Sequence, residues 1–484
     1  MNRKRLIPFL FLLVLTGISH TDFVRAKATF PQVEGKDPAG DAANRRTLGL
    51  DEFVILAARN DTRFEQILID ELALKYRKAI GLPAGDLVFS VKSEYDYFPR
   101  QIRGDRAATG SLSKLFPYIG TEVSATYETT PAFSRRQNSS ALTLEISQPI
   151  AENAFGRGTR LRSKIIGVEI DVARHQIVEA YEDYLAGVIK AYLAWYEAYE
   201  NYKVGDSSYR ENVKLLDNMK ERMKSNIALP IDVNKITLQV LAKQETLIGL
   251  RTAYENALNF IETAVRYTGS DALVPERPDT YSDYAIHFDE DHSRFEKESR
   301  TAQILKLLEK SSSLSVKEEF DDLLPSINLQ MGSTWDWQGL AAEREDHLIF
   351  AAVSLDWSIF EQVDRGEYNT AKVARDKTVL TTDSTLYRLY VDLKSLYQQI
   401  ESQRELYEIA EEKIRRAQSV LEDETENYSF GKVTLNDYID AVNTYDTNRF
   451  NRIRREVLVK TLIVEWLRLS DRLITRREIE ERRV

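Results

Sequence analysis

An internal repeat with a period of about 208 residues constrains the fold of this 484-residue chain more than any other feature of its sequence. The matching segments are Leu115–Ile119 with Leu323–Ile327, Leu142–Ile146 with Ala351–Leu355, and Asp232 with Asp437. Their offsets are nearly constant (323 − 115 = 208, 351 − 142 = 209 and 437 − 232 = 205). Because offsets this steady over about a hundred residues do not arise by chance, the chain is predicted to be a tandem duplication.

Both halves have the same predicted order of elements: a short helical stretch, two strands, a very long helix, a tight turn and a second long helix. The short helices are expected over 50–80 and 295–323, the strand pairs over 115–150 and 325–359, and the hairpins of long helices over 157–267 and 366–472. The first helix of each hairpin should extend about 100 Å. Its return partner is about half as long, so the preceding short helix is expected to cover the remaining half.

Apolar residues recur at steps of three and four along both long helices, which is the spacing of a coiled-coil seam. In the second half the seam consists of Leu386, Leu389, Leu393, Leu396, Ile400, Gln403, Tyr407, Ala410, Ile414, Ala417 and Leu421. In the first half it is mostly aromatic and consists of Tyr181, Tyr184, Val188, Tyr192, Trp195, Tyr199 and Tyr202. We interpret the aromatic stripe as packed core and not as a ligand site.

The predicted strands alternate between apolar and polar residues. The positions on the mainly apolar face are Ile119, Thr121, Val123, Ala125, Tyr127, Leu142, Leu144, Ile146, Ile327, Leu329, Met331, Trp335, Trp337, Ile349, Ala351, Val353, Leu355 and Trp357. This alternation fits a membrane barrel with a wet lumen, and it fits a half-buried soluble sheet equally well. If the sheet is a barrel, four strands per chain cannot close it, because a barrel needs about eight or more. Two chains would leave a lumen plugged by side chains, so a trimer with twelve strands is expected.

The first residues predict a secretory signal peptide over 1–28. Arg3, Lys4 and Arg5 precede an apolar run from Leu6 to Ile18, and Ala26-Lys27-Ala28 fits the cleavage pattern. The run is too short to span about 30 Å of hydrocarbon as a helix. The chain has no cysteine, which excludes both disulfides and a lipid-modified N-terminal cysteine.

Composition and motifs argue against nucleic acid, cofactors and catalysis. The net charge is −10, opposite to the basic balance of nucleic-acid-binding proteins. The five histidines are scattered, and no common hydrolase or nucleotide-binding motif occurs. His287 and His292 flank three acidic residues and could in principle hold a metal ion, but a solvated acidic loop is the favoured interpretation. No catalytic residue, metal site or cofactor is therefore predicted.

The ordered set of local motifs resembles the TolC-type outer-membrane efflux proteins (outer membrane factors) over nearly all of the chain after residue 28. The residues that carry the resemblance are Leu50-Asp51-Glu52 with Ala57 and Asn60, Gln148-Pro149-Ile150, Phe155-Gly156-Arg157, Leu324–Leu329, and Tyr428–Thr434 with Leu435 and Asp437. The resemblance implies a mainly helical chain whose four strands join a twelve-stranded barrel in the outer membrane of a homotrimer. It also implies a long α-helical coiled-coil barrel that extends through the periplasm.

The resemblance further implies a passive duct of a tripartite efflux or type I secretion system. Its partners would be a periplasmic adaptor, an inner-membrane transporter and outer-membrane lipid, and its cargo drugs, toxic compounds or a secreted polypeptide. A periplasmic coiled-coil adaptor or scaffold is the alternative, but an adaptor should contain one helical hairpin nested in β domains and not two in tandem.

Two groups of functional residues are predicted at the turns of the hairpins. By resemblance, adaptor tips dock at Asn226, Ile227, Gly431, Lys432, Val433 and Thr434. Asn226 and Gly431 are expected to adopt left-handed backbone conformations. Asp232 and Asp437 would form an acidic ring at the periplasmic entrance. Thr434 and Asp437 also form a capping-box pattern, and the capping role is the simpler reading of Asp437.

Three segments depart from the resemblance, and one of them is the first helical turn, where Asn226–Pro230 replaces the family's usual glycine and serine or threonine. Residues 84–112 have no counterpart in the second half, and we interpret their one strand-like stretch, 86–97, as a peripheral or partial strand. Ser311-Ser312-Ser313 is expected to interrupt and shorten the short helix of the second half.

The predicted divisions are the signal peptide (1–28), the first repeat (29–267), a linker (268–294), the second repeat (295–472) and a charged C-terminal tail (473–484).

Overall fold

A computed structural model describes residues 45–98, 103–130, 139–281, 284–338, 344–358 and 362–474. The predicted signal peptide and residues 475–484 of the predicted tail lie outside these ranges. The helices are α1 (Leu50–Asn60), α2 (Thr62–Gly81), α3 (Arg157–Lys224), α4 (Pro230–Val265), α5 (Phe288–Glu298), α6 (Arg300–Asp322), α7 (Gln362–Ser429) and α8 (Leu435–Leu469). The strands are β1 (Arg45–Leu48), β2 (Leu87–Phe98), β3 (Arg103–Phe116), β4 (Thr121–Thr130), β5 (Ser139–Pro149), β6 (Ala272–Pro275), β7 (Ser326–Gln338) and β8 (Arg344–Asp356).

The predicted long helices are confirmed. Both α3 and α7 contain 68 residues, which corresponds to about 100 Å. Their return partners α4 and α8 have 36 and 35 residues. None of the helices in the described ranges is apolar over a stretch long enough to cross a membrane.

The helices form one layer that is four columns wide. α3 packs against α4 and α2 on one side and against α8 and α6 on the other, and α7 packs against α8 and α6 in turn. The first column is therefore α2 followed by α4, and the third is α6 followed by α8. Pairs of short helices thus cover the long ones, as the helix lengths predicted. The open sides of the layer are the α2–α4 column and α7.

The predicted seams form the core of this layer. Tyr192, Leu193 and Trp195 of α3 are fully buried, and the Tyr192 and Trp195 rings meet edge to face at 5.6 Å. In α7 the buried seam residues are Leu393, Leu396, Ile400, Ala410 and Ala417. The aromatic stripe of α3 is therefore packed core.

A small parallel sheet that the sequence analysis did not predict lies at mid-height. β1 pairs with β6 in register from Arg45↔Ala272 to Leu48↔Pro275. The Tyr192 hydroxyl lies 2.7 Å from the carbonyl oxygen of Leu48 and 2.8 Å from that of Glu276. This hydroxyl therefore fixes the two-stranded sheet against the middle of α3.

Buried ion pairs hold the second-half short helices at the same height. Arg300, at the start of α6, pairs with Glu182 of α3 and with Asp471 after α8. Arg472 pairs with Asp291 of α5 at 2.6 Å. The prediction of a solvated loop at His287–His292 is therefore wrong. Most of this segment is the first turn of α5, and Asp291 is buried.

The three serines at 311–313 do not interrupt α6, which continues from Arg300 to Asp322. The hydroxyl of Ser312 donates to the carbonyl oxygen of Glu309 at 2.9 Å, and that of Ser315 donates to Ser311 at 3.2 Å. Serine side chains that bond back to the preceding turn are compatible with a helix, so the expected interruption was wrong.

The larger sheet contains six strands and not the four that were predicted. Its order is β2-β3-β4-β5-β7-β8, and all of its pairings are antiparallel. The stretch 86–97, interpreted as a peripheral or partial strand, lies in β2, which is a full strand of 12 residues at the edge of the sheet. β2 pairs along its whole length with the 14-residue β3, which was not predicted. The predicted alternation gives the sheet one face rich in apolar side chains and one that is mainly polar.

Two glycines join the sheet to the helices. Gly120, between β3 and β4, and Gly156, just before α3, both have positive φ (71° and 74°). A Cβ on Gly156 would overlap the carbonyl group of Tyr118. Next to this contact, Arg157 Nε donates to Asp321 Oδ1 at 2.6 Å. The start of α3 is thereby fixed both to the β3–β4 turn and to the end of α6.

We predict that Gly156→Ala destabilises the protein, because a non-glycine residue at positive φ costs about 1–2 kcal/mol even before the overlap with Tyr118 is relieved. Thermal unfolding of the purified protein, followed by circular dichroism, measures the effect. Gly167→Ala is the control, since a Cβ there meets no atom within 4 Å, and alanine favours a helix by about 0.5–1 kcal/mol over glycine. Equal melting temperatures for the two variants would contradict the prediction.

Candidate functional site

The turns of the two helical hairpins have the same backbone geometry. Asn226 has φ of 56° and Gly431 has φ of 70°, at equivalent positions of the repeat. The hydrogen bonds are also equivalent: Asn226 N donates to Met223 O and Ile227 N to Arg222 O, while Gly431 N donates to Tyr428 O and Lys432 N to Asn427 O. The left-handed conformations predicted for Asn226 and Gly431 are confirmed.

The helices that leave the turns begin in different ways. α4 begins with Pro230 at its first position, and Leu229 before it provides no side-chain cap. α8 begins with the predicted capping box, in which the backbone N–H of Thr434 donates to Asp437 Oδ2 at 3.0 Å and that of Asp437 to Thr434 Oγ1 at 3.3 Å. The hydroxyl and the backbone N–H of Thr434 lower the pKa of the Asp437 carboxyl below its usual value.

An apolar cluster packs the two hairpins together next to their turns. Its buried residues come from α3, α4 and α8: Leu216, Met219, Ile236, Val240 and Leu435. Lys235 Nζ donates to Asn436 Oδ1 at 3.3 Å across the two hairpins. The Arg222 guanidinium lies 5.6 Å from the centroid of the Tyr428 ring. The structure therefore brings both turns, with Asp232 and Asp437, to the same end of the molecule.

Asp232 and Asp437 differ in their surroundings. Asp232 is half-buried and Asp437 is exposed. Burial raises the pKa of the nearby Tyr428 hydroxyl, and the negative charge of Asp232 raises it further, while Arg222 opposes both. The charge of Asp232 therefore acts on the half-buried Tyr428 hydroxyl, whereas the Asp437 side chain faces solvent.

Three lysines of the turn regions, Lys224, Lys235 and Lys432, contact groups of the chain other than these two carboxylates. Lys224 pairs with Glu221 at 2.6 Å. Lys235 reaches Asn436, and the Lys432 ammonium lies 5.2 Å from the centroid of the Phe430 ring. Ile227 and Phe430 are largely exposed, at 69% and 65%. The surface of the turns therefore combines exposed apolar side chains with lysines and carboxylates.

A groove of about 680 Å³ runs between α7 and α8 from the second turn. On α8 it is lined by Asp437, Asp440, Ala441, Thr444 and Asn448, and on α7 by Glu412, Lys413, Arg416, Ala417, Val420 and Glu424. Asp437 is therefore both the cap of α8 and part of the groove wall. No group of three or more histidine, aspartate or glutamate side chains in the described part of the chain could hold a metal ion.

Sequence reasoning missed a buried polar cluster that links the hairpins above the turns. Asp446 of α8 is 3% exposed. It accepts hydrogen bonds from Lys243 Nζ at 2.7 Å and from the Ser208 hydroxyl. The Arg449 guanidinium lies 3.8 Å from its other oxygen. These residues lie on three helices, and Asp446 is more than two hundred positions from both Ser208 and Lys243. No local sequence pattern therefore marks the cluster.

Neither protein-family models nor curated proteins match the sequence significantly. Solved structures do match the fold. The CmeC outer membrane channel of Campylobacter jejuni is similar with a TM-score of 0.68 and 13% identity, over 90% of this chain and 89% of that one. VceC, an outer membrane protein of Vibrio cholerae, gives 0.64 and 11% over 87% and 95%. The open state of the MtrE outer membrane channel of Neisseria gonorrhoeae gives 0.65 and 12% over 88% and 89%.

These likenesses cover 87–90% of this chain and 89–95% of the other chains, so they concern its fold as a whole. At 11–13% identity, these likenesses establish the fold of the chain. The chain has the fold of the TolC-type outer-membrane channels.

Proposed function

We propose that this chain is one subunit of a trimeric, passive export duct through the outer membrane and periplasm. The observation that carries the proposal is the fold: a six-stranded sheet with one mainly apolar and one mainly polar face continues into a helical layer about 100 Å long, and the whole matches outer-membrane channels. The apolar face would contact outer-membrane lipid, and the helices would extend into the periplasm.

The open sides of the helical layer support assembly from copies of the chain. On α2 the exposed apolar residues include Ile69, Leu72, Tyr76 and Ile80, and on α7 they include Val373, Leu380 and Tyr387. Both sets follow coiled-coil spacing, and such a stripe requires a partner helix. α7 of one copy would pack against α2 and α4 of the next. Three copies, the number that the family resemblance implies, would give twelve helical columns.

The turns of the hairpins would face the rest of a tripartite efflux or type I secretion system. In this proposal the tips of a periplasmic adaptor bind Asn226, Ile227 and the 431–434 turn, and an inner-membrane transporter supplies the energy. The exposed turn surface and the groove between α7 and α8 support this arrangement. Two hairpins in tandem disfavour the alternative of an adaptor or scaffold, and the neighbours in fold are channels and not enzymes.

We predict that the protein fractionates with the outer membrane and migrates as a trimer when it is solubilised without heating. The exposed stripes on α2 and α7 are the reason, because a monomer would leave both in water. Sucrose-gradient fractionation followed by electrophoresis of unheated and heated samples measures both properties. Recovery as a soluble periplasmic monomer would contradict the proposed function.

We predict that Gly431→Val weakens export and adaptor binding while trimers still form. A Cβ on Gly431 meets no atom of the chain within 4 Å, so the added bulk faces whatever docks there. Co-purification of the adaptor and a transport assay measure the two effects.

Gly431→Asn is the matched control, because asparagine already occupies the equivalent left-handed position at Asn226. If docking uses this surface, both variants should be impaired. Impairment of the valine variant alone would indicate that only the backbone conformation matters, and full export by both would refute docking at this turn.

We predict that Asp437→Ala weakens the cation preference of the pore, which should have low conductance at rest. Three copies of Asp232 and Asp437 near one axis would attract cations. Thr434→Ala is the control, since it removes the hydroxyl of the capping box and keeps the carboxylate. Single-channel recordings in planar bilayers should show altered selectivity for Asp437→Ala only. Unchanged selectivity in a folded Asp437→Ala trimer would leave that residue with the capping role alone.

A further inference from the structure

We infer that the edge strand β8 of one copy pairs with the edge strand β2 of the next, so that three copies close an eighteen-stranded barrel. The inference rests on the proposed outer-membrane function and concerns the surface through which the copies join. It replaces the twelve-stranded barrel that four strands per chain would form.

The outer edge of β4 is already occupied within the chain. β3 pairs with β4 from Ala108↔Thr129 to Phe116↔Thr121. A twelve-stranded closure would require β8 of the neighbouring copy to take the place of β3 and to break all of these pairings. Among the described residues, the strands that have a partner on one side only are β2 and β8 of the large sheet and the two strands of the small one.

The edge strands β2 and β8 match in direction and length. The strand order contains five antiparallel steps from β2 to β8, so the two edge strands run in opposite directions. β2 has 12 residues and β8 has 13. Pairing them between copies continues the antiparallel alternation and leaves no open edge, which is the only form in which a sheet can lie in lipid.

The two faces of β2 differ in polarity. Leu87, Phe89, Val91, Tyr95 and Tyr97 lie on one face and are 56–71% exposed. Through the register Phe89↔Leu112↔Ala125↔Leu144 they continue the apolar face of the other strands. The opposite face carries Val88 near the start of the strand and then four polar residues, Ser90, Lys92, Glu94 and Asp96. A hairpin lying outside a closed barrel would place these polar side chains in hydrocarbon, whereas a strand within the wall directs them into the lumen.

The six-stranded sheet and the helical layer also have similar widths. Four helices spaced 8–10 Å apart cover about 32–40 Å of arc. Six strands spaced about 4.8 Å and tilted by about 40° cover about 38 Å, whereas four strands cover only about 25 Å. The six-stranded sheet therefore matches the helical layer of its own chain. β2 follows α2 and β8 precedes α7, so the open sides of the two layers coincide.

Eighteen strands would form a barrel about 36 Å across at the backbone, compared with about 24 Å for twelve. Barrels of 16–18 strands leave an aqueous channel. The exit through the membrane would then be about as wide as the helical duct that leads to it.

Disulfide cross-linking tests the pairing, and the absence of native cysteine makes it unambiguous. Ser90→Cys on the polar face of β2 is combined in turn with a cysteine at one of four positions of β8 that lie on the same face of the sheet. These positions are Leu348, Phe350, Ala352 and Ser354. The series is needed because the stagger of a closed barrel shifts the register between copies. We expect one of the combinations, oxidised in outer membranes, to give covalent oligomers that end at three chains.

The control places the cysteine at Ser124 of β4, on the same face and two strands further in, with the same β8 partners. The extra distance of about 10 Å is too large for a disulfide, which needs Cα atoms less than about 7 Å apart. Cross-linking through Ser124 would overturn the inference. Failure of both series in an intact trimer, or a ladder that ends at two chains, would overturn it as well. Recovery of the cysteine-free parent as a soluble monomer would instead overturn the proposed function, and this inference with it.

Discussion

The apolar seam of α3 must be covered over a length that no return helix of the chain provides. α3 has 68 residues, and α4 has 36. The chain therefore stacks α2 and α4 end to end against one side of α3, and α6 and α8 against the other. Each stack leaves a junction at mid-height, where helix ends would otherwise expose unpaired backbone groups. The β1–β6 sheet, the Tyr192 hydroxyl and the ion pairs of Arg300 occupy these junctions.

The stacking of short helices against long ones also fixes where the helical layer and the sheet end. A layer four columns wide has two open sides, and the sheet above it ends on those same sides with β2 and β8. Apolar stripes on α2 and α7 and unpaired strand edges are both unfavourable in isolation, because one exposes apolar surface and the other exposes backbone donors and acceptors. Association of copies through these sides would cover the apolar stripes and pair the strand edges together.

The features predicted correctly from the sequence are those with a strong local sequence pattern. The seams of α3 and α7, the positive φ of Asn226 and Gly431, and the Thr434 capping box all depend on neighbours a few residues away. The β2–β3 hairpin was missed because β3 is rich in glycine, alanine and small polar residues and shows little alternation, although its partner β2 does. The β1–β6 pairing joins four-residue strands 227 positions apart (272 − 45 = 227), and the Asp446 cluster joins three helices. Contacts of this kind are decided by packing, which no single window of sequence contains.

The two roles considered for Asp437 depend on one set of contacts. The hydroxyl and the backbone N–H of Thr434 both donate to its carboxylate, and these bonds begin α8 while they lower the pKa of the group. A lowered pKa means that the carboxylate stays charged at any pH above its usual value of 3.8, and that both cap and charge are lost only when the pH falls through the lowered value. The interaction that fixes the start of the helix therefore also keeps a negative charge at the proposed entrance. A negative charge in the first turn also favours the positive end of the helix, so the capping role and the proposed attraction of cations would use the same ionised carboxylate.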